Sequence, residues 1–187
     1  MKYIALTLAF AAALCAAPGV KPPTLPRPVG NMSFNSVKGK ISMDKYKGKV
    51  TVLMFFHTSC AHCATTAQLL NQVRRERRGD FEVVGVAVDE SPESAVTQFI
   101  QRYKIDFPIG WVNQADFFKY TDLDPATKPF IPVVLFIDRD FQVNRQYSQD
   151  HPFFKGEPTN MRGVVNMLVL TAPGKSKDLP RTQTKKQ

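Results

Sequence analysis

An apolar run from Val50 to Phe56 predicts a β-strand that is covered on both faces. Behind this run, apolar side chains recur at Ala67, Leu70 and Val73, which is the spacing of an amphipathic α-helix. The pattern predicts a helix that begins near Cys60. A buried strand that leads directly into a helix is therefore the central feature of the chain.

Both ends of this helix carry recognisable signals. Thr58 and Ser59 offer side-chain caps for its N-terminus. The arginines between Arg74 and Arg78 suit the negative end of the helix dipole, and Gly79 is a typical residue for ending the helix. We expect the chain to turn there and to enter its next element.

A second apolar run, Asp80 to Val88, predicts another buried strand and completes a β-α-β unit, whose strands we expect to be parallel with a right-handed crossover. Ser91 and Pro92 are strong start signals for a second helix. The remaining patterns predict a hairpin within residues 34–43, a strand at 107–112, a short helix through 115–118, a strand at 133–137 that forms a hairpin with 141–147, and a last helix capped by Asn160.

The composition divides the chain into four parts. Residues 1–17 resemble a signal peptide or membrane anchor, and residues 18–33 are rich in proline and predict an extended linker. Residues 34–171 carry the predicted elements of one domain. Residues 172–187 are basic, lack apolar periodicity and predict a disordered tail.

The N-terminal segment indicates export. A basic start is followed by an apolar run from Ile4 to Leu14 that is too short to span a bilayer comfortably. Cleavage near Cys15 to Ala17, lipidation of Cys15 and an uncleaved anchor all remain open. Each alternative exports the domain, and we expect a bacterial periplasmic location, with or without a membrane tether.

The formal net charge of +9 says little about partners. Residues 34–171 carry 17 Lys or Arg and 15 Asp or Glu, so most of the excess lies outside the predicted domain. Nucleic-acid binding requires a concentrated basic face with stacking aromatic residues, and the sequence has no such pattern. We therefore expect no nucleic-acid partner.

The candidate chemistry is a Cys-x-x-Cys motif formed by Cys60 and Cys63. Residues three apart on a helix lie about 5–6 Å from each other, so the pair can be disulfide-bonded or free with little backbone movement. A helix N-terminus favours a thiolate over a thiol. Cys60 is therefore the candidate nucleophile and Cys63 the candidate resolving thiol. Thiol–disulfide exchange by this pair needs no cofactor.

Other interpretations of the motif stay open. A disulfide that closes so short a loop is a poor stabiliser, so a purely structural bridge is disfavoured. A copper or zinc handling protein could use Cys60 and Cys63 with His57 or His62, although no second cysteine pair is present for a complete site and we assign no metal ligands. A non-catalytic binding module with a vestigial dithiol is a further alternative.

These motifs together resemble exported thiol–disulfide oxidoreductases of the TlpA-like type, over about residues 34–171. The likeness rests on the Tyr46 to Lys49 turn, the strand before the Cys-x-x-Cys motif, the extra αβ segment before Pro132, and the hairpin that follows Ile131 and Pro132. The resemblance implies an α/β, thioredoxin-like three-layer fold with a mixed central sheet, an N-terminal hairpin and an αβ insertion. Its implied partners are client proteins with disulfides or thiols and a membrane or periplasmic electron donor or acceptor.

The resemblance also implies a substrate site. A cis peptide bond before Pro132 would place the proline ring and the Ile131 backbone beside Cys60. Ile131 is similar to the position whose main chain pairs with an extended client segment. Ile131 and Pro132 are therefore the candidate substrate-binding residues.

Three positions depart from the family pattern. Met54 stands where thioredoxin has a buried Asp, Thr66 stands where many TlpA-like proteins have Glu, and Ser59 replaces the customary Trp. The usual proton acceptor for Cys63 is therefore missing. His57 could substitute for it, or could simply fill space at the strand end.

His62, between the two cysteines, is the candidate redox-tuning residue. An imidazole that stabilises the thiolate of Cys60 makes the disulfide more oxidising. The family resemblance favours the reducing direction, whereas His62 and the missing acids favour a more oxidising pair. The direction of electron flow is thus open at the level of sequence.

Overall fold

A mixed β-sheet forms the centre of the protein in a computed structural model that describes residues 22–77, 79–89, 92–126 and 128–171. The expected leader and tail lie outside these ranges, as does Ser91. The strands of the sheet are β1 (Arg27–Pro28), β2 (Ser33–Ser36), β3 (Gly39–Ser42), β4 (Thr51–Phe56), β5 (Glu82–Ala87), β6 (Ile109–Trp111), β7 (Val133–Ile137) and β8 (Gln142–Ser148).

Helices pack on both faces of this sheet, which confirms the predicted α/β, thioredoxin-like architecture. None of the helices in the described ranges is long and apolar enough to cross a membrane. The α-helices are α1 (Ala61–Glu76), α2 (Pro92–Tyr103), α3 (Gln114–Thr121) and α4 (Glu157–Leu170), and short 3-10 turns cover Met43–Tyr46 and Pro152–Gly156.

The sheet has the strand order β1-β8-β7-β4-β5-β6-β2-β3. Strands β4 and β5 are parallel, with Thr51 opposite Glu82 and Phe56 opposite Ala87, as the β-α-β pattern predicts. Strand β7 runs antiparallel to β4 on its other side. The central position of β4 explains its continuous apolar run, because all six of its residues are buried.

Alternate side chains of β4 enter two separate hydrophobic cores. Met54 and Phe56 face the core that α1, α2 and α4 cover. Leu53 and Phe55 face the core that contains Phe117 of α3. The start of α1 therefore follows directly on a strand whose residues are all buried.

The N-terminal hairpin is confirmed and joins the sheet through β6, where Asn35 pairs with Trp111. The approach is close at Gly110, because a Cβ atom there would lie 2.6 Å from the Asn35 carbonyl oxygen. A glycine at this position lets the hairpin dock on the sheet.

Residues 22–33 correct the expectation of an extended linker. Arg27 and Pro28 form β1 and pair with β8. Val29 and Met32 are buried in the second core, and Arg27 donates hydrogen bonds to the Tyr120 carbonyl oxygen and to Gln146. The proline content predicted the extended backbone, but Arg27 and the apolar residues that follow the last proline attach it to the domain.

The last helix begins earlier than the sequence suggested. Asn160 was expected to cap it, but α4 starts at Glu157, and Pro158 lies in its first turn. Asn160 lies within the helix and donates a hydrogen bond to the Phe153 carbonyl oxygen. The proline sets the start because its fixed φ suits the first helical turn.

Candidate functional site

The two cysteines lie where β4 ends and α1 begins, and they form a disulfide with a Cα–Cα distance of 5.2 Å. Cys60 itself is the N-cap, and its sulfur accepts a hydrogen bond from the backbone N–H of Cys63 at 3.1 Å. Thr58 and Ser59, the expected caps, do not serve this role. The sulfur occupies the place where a capping oxygen normally satisfies the first-turn N–H groups.

The two sulfurs differ in their access to solvent. Cys60 is partly exposed, whereas Cys63 is fully buried. An external thiol or disulfide can therefore reach Cys60 but not Cys63. The roles of Cys60 as the nucleophile and Cys63 as the resolving thiol stay a prediction of the sequence.

The loop before β7 lies against the disulfide. The Ile131–Pro132 peptide bond is cis, as the resemblance implied. The sulfur of Cys60 lies 4.0 Å from the carbonyl oxygen of Ile131. The fold thus brings Cys60, Cys63 and Ile131 together across 71 residues of sequence.

His57 does not fill core space, because 44% of its side chain is exposed. Its Nδ1 lies 3.4 Å from Oδ1 of Asp89, and both Asp89 oxygens accept the backbone N–H of Thr58. Burial alone would raise the pKa of Asp89, but the hydrogen bonds from His57 and Thr58 outweigh it and hold the pKa below its ordinary value.

Asp89 was not singled out in the sequence, although a signal for it exists. It follows the end of β5 as His57 follows the end of β4. The carboxyl ends of adjacent parallel strands meet at one edge of a sheet, and ligand sites tend to form there. The His57–Asp89 pair therefore stands beside the redox motif for a topological reason.

His62, expected to influence Cys60, faces α4. Its Nε2 lies 3.7 Å from Oε2 of Glu157, and its ring contacts the edge of Phe154 with a centroid distance of 5.7 Å. Its Nε2 is buried and has no hydrogen-bond partner among the described residues. The role of His62 in tuning the pair stays a prediction, but its partner is now known.

Glu157 is a second site residue that sequence reasoning missed. Its side chain is 7% exposed, and its Oε1 accepts a hydrogen bond of 2.5 Å from the hydroxyl of Thr66. Thr66 is the position where TlpA-like relatives were expected to carry an acid. An acid does reach this position, but it comes from a helix 91 residues further along the chain.

A groove of 1010 Å³ opens beside the cis-proline loop. Exposed Phe130, with 62% of its surface accessible, precedes the loop. The groove offers apolar surface together with the His57–Asp89 pair and the amine of Lys128, and its walls also include Phe117, Phe118, Pro129 and Ile131.

The metal-handling alternative gains no support from the geometry. No group of three or more His, Cys, Asp or Glu side chains that could hold a metal ion occurs in the described ranges. Cys60 and Cys63 are bonded to each other, and the two histidines face separate carboxylates.

Comparison with known proteins identifies the family. Residues 24–152 match the model of the AhpC/TSA family. The chain belongs to this family. It is 26% identical over 131 residues to the thiol–disulfide oxidoreductase ResA of Bacillus thuringiensis subsp. konkukian, a match that covers 69% of this chain and 68% of that protein.

Solved structures share the fold of this chain. A putative thiol:disulfide interchange protein DsbE from Chlorobium tepidum superposes with a TM-score of 0.67 at 15% identity, covering 79% of this chain and 99% of that one. A thioredoxin family thiol:disulfide interchange protein from Chlorobium tepidum TLS gives a TM-score of 0.62 at 22% identity, covering 81% and 99%. The Cys60–Cys63 pair lies within the matched residues, and the chain is a thiol–disulfide oxidoreductase.

Proposed function

We propose that the protein exchanges its Cys60–Cys63 dithiol with disulfides of client proteins outside the cytoplasm, and that it works as a reductase. The observation that carries the proposal is the asymmetry of the pair. A partly exposed sulfur stands at a helix N-terminus, and its partner is buried behind it. This arrangement allows one sulfur to attack and reserves the other for release.

The reaction begins with the Cys60 thiolate, which the first-turn N–H groups and the helix dipole stabilise. It attacks one sulfur of the client disulfide, so that a Cys60–client bond forms, the client S–S bond breaks and the departing client thiolate takes up a proton. Cys63 then loses its proton and attacks Cys60. The Cys60–Cys63 bond forms, the mixed disulfide breaks, and two electrons have passed to the client.

The loop at Ile131 and Pro132 is our proposed client-binding site. The Ile131 carbonyl oxygen lies 4.0 Å from the Cys60 sulfur, so an extended client segment along this loop would bring its own sulfur to Cys60. The adjacent groove and Phe130 offer apolar surface for client residues on either side of the disulfide.

Glu157 supports the reducing direction. A carboxylate buried against the first turns of α1 opposes the accumulation of negative charge on nearby thiolates. Destabilising the thiolate form destabilises the dithiol, which makes the pair a better electron donor. Glu157 therefore offsets the stabilisation that His62 alone would give to the reduced form.

Export is proposed from the leader-like segment of residues 1–17, with the bacterial periplasm as the destination. A reductase in an oxidising compartment must itself be reduced again, so we propose a membrane or periplasmic electron donor as its second partner. Fractionation of cells that express the full chain tests the location, and recovery in the cytoplasmic fraction would contradict it.

A disulfide-reduction assay on a protein client tests the activity. Wild-type protein should reduce the client, and Cys60→Ser should abolish turnover. Cys63→Ser should instead accumulate a covalent mixed disulfide that migrates as a larger species on a non-reducing gel. Ser59→Ala, a change at the exposed residue next to Cys60, serves as the matched control and should retain turnover.

Three results would each contradict the proposal or a part of it. Turnover that survives in Cys60→Ser would show that the motif is not the reacting group. Tight stoichiometric copper binding by the reduced protein, without turnover, would favour the metal-handling alternative. The reduction potential of the pair, measured against glutathione, tests the direction, and a value on the oxidising side of the glutathione couple would contradict the reductase assignment.

A further inference from the structure

The fold buries the carboxyl group of Glu157 against α1, the helix that carries the cysteines. Buried carboxylates are uncommon because desolvation penalises the charged form unless partners compensate for it. The contacts that the structure gives Glu157 are the Thr66 hydroxyl on Oε1 at 2.5 Å and the His62 ring beside Oε2 at 3.7 Å. Both partners belong to α1, the helix that carries the cysteines.

These partners place the carboxylate on the side of the resolving cysteine. Thr66 follows Cys63 by three residues, so the two side chains share one face of α1. Both residues are fully buried. The carboxylate that accepts the Thr66 hydrogen bond therefore faces the same side of α1 as the fully buried thiol.

The distance between Oε2 of Glu157 and Nε2 of His62 shows how the two groups interact. At 3.7 Å it is too long for a hydrogen bond and short enough for an ion pair. The Nε2 of His62 is nevertheless buried and unpartnered among the described residues, which is costly for a polar atom. A small movement of either side chain would close this gap and let the two groups share a proton.

His62 also connects the buried carboxylate with water. About a third of its side chain is exposed, at 34%, compared with 7% for Glu157. The residues Thr66, Glu157 and His62 thus run from the buried side of α1 to the surface. We call these three residues the Glu157 relay.

We propose that the Glu157 relay takes up the proton that Cys63 must lose and releases it to solvent through His62. This inference rests on the exchange reaction proposed above. In the resolving step, the Cys63 proton passes by way of the Thr66 hydroxyl to the Glu157 carboxylate, and the Cys63 sulfur attacks Cys60. The mixed disulfide breaks, and the client thiolate takes up a proton from water as His62 gives one up.

Glu157 is therefore a positioning residue that acts through Thr66 and His62. A purely structural role, in which Glu157 merely anchors α4 to α1, requires only the hydrogen bond from Thr66. A glutamine at the same position can accept that bond and has nearly the same volume. Glu157→Gln therefore separates the two roles, because it keeps the anchor and removes the proton acceptor.

The experiment measures the lifetime of the mixed disulfide in rapid-quench single turnovers with a disulfide-bonded protein client, from pH 5 to pH 9. In Glu157→Gln, formation of the mixed disulfide should be nearly unchanged, but its resolution at neutral pH should slow on the order of 100-fold. Its resolution rate should recover as alkaline pH ionises Cys63 without help. Glu157→Asp, which keeps the carboxylate, should restore part of the rate.

Glu76→Gln is the matched control. Glu76 also links α1 to α4, through an ion pair of 2.9 Å with Arg162, but it lies at the other end of α1. This variant should resolve the mixed disulfide at the wild-type rate. His62→Gln, at a partly exposed position, is a second test that does not depend on the folding of Glu157→Gln, and it should slow resolution about tenfold with the same alkaline recovery.

The possible failures are distinguishable. If wild-type protein forms no mixed disulfide, the exchange reaction and the relay both fail. If wild-type protein resolves normally and both Glu157→Gln and His62→Gln match its rate and pH profile, the relay is wrong and the exchange reaction stands. A rate loss in Glu157→Gln that alkaline pH does not restore would indicate a structural role and would also overturn the proposal.

Discussion

The sulfur of Cys60 lies 3.1 Å from the backbone nitrogen of Cys63 and accepts its hydrogen bond, so the reactive atom is also the cap of α1. A thiolate would accept this hydrogen bond more strongly than a disulfide sulfur, because hydrogen bonds to charged acceptors are the stronger ones. The local backbone therefore favours ionisation of this one cysteine.

The first prediction concerns that ionisation. In the reduced protein, the thiolate absorbance of Cys60 near 240 nm should appear well below the pH of about 8.5 that is usual for a free thiol. The fully buried Cys63 should titrate only at alkaline pH. Cys60→Ser identifies the signal, because this variant should lose the acidic transition and keep the alkaline one. A Cys60 transition at or above the usual pH would contradict the mechanism.

A second prediction concerns client binding at Phe130. Its exposed ring precedes Ile131 and Pro132, so Phe130→Ser should remove apolar contact with a protein client. We expect kcat/KM for a protein disulfide to fall about tenfold, with little change for a small disulfide such as oxidised glutathione. Val37→Ser, which removes another exposed apolar side chain on the N-terminal hairpin, is the control. Equal losses with both substrates would place Phe130 outside the client site.

A third prediction follows from the lowered pKa of Asp89. The pKa of Asp89 is lower in the folded protein than in the unfolded protein. Its charge therefore stabilises the fold fully at pH values above the unfolded pKa, and this stabilisation is lost as the pH falls through the folded pKa. Asp89→Asn should therefore reduce the free energy of unfolding by about 1 kcal/mol at pH 7 and by much less at about pH 2.

Urea unfolding at the two pH values measures this difference. Asp80→Asn is the control, because Asp80 is 54% exposed and its ion pair with Arg77 lies at the surface. It should change the stability little at either pH. A loss in Asp89→Asn that is equally large at acid pH would mean that the charge of Asp89 does not hold the Thr58 and His57 contacts.

The fourth prediction compares two glycines. A Cβ at Gly110 would lie 2.6 Å from the Asn35 carbonyl oxygen and 2.7 Å from Cβ of Phe34, so Gly110→Ala should separate β2 from β6. We expect a loss of about 1–3 kcal/mol in thermal or urea unfolding. At Gly163, within α4, nothing lies within 4 Å of the added atom, and Gly163→Ala should stabilise by about 0.5–1 kcal/mol. Equal effects at the two sites would show that β2 does not dock closely on β6.

The sequence correctly predicted those parts of the structure that neighbouring residues determine. The apolar run of β4, the spacing of Ala67, Leu70 and Val73, and the position of the two cysteines at a strand–helix junction all follow from neighbouring residues. The TlpA-like resemblance added the cis bond before Pro132. Local signals were weaker at element ends, where Cys60 rather than Thr58 or Ser59 caps α1 and Pro158 rather than Asn160 marks the start of α4.

By itself, the amino-acid sequence determined the β-α-β unit and the redox pair, because hydrophobic period and residue spacing act over a few turns of chain. Only the tertiary structure decided that Glu157 meets Thr66 and His62, that Asp89 faces His57, and that Arg27 and Pro28 extend the sheet. Those contacts join segments that are distant in sequence. They form because α4 packs against α1, because β4 and β5 are neighbours in the sheet, and because β1 pairs with β8. The missing acid was therefore present in the folded protein, on a helix that no local pattern connects to the cysteines.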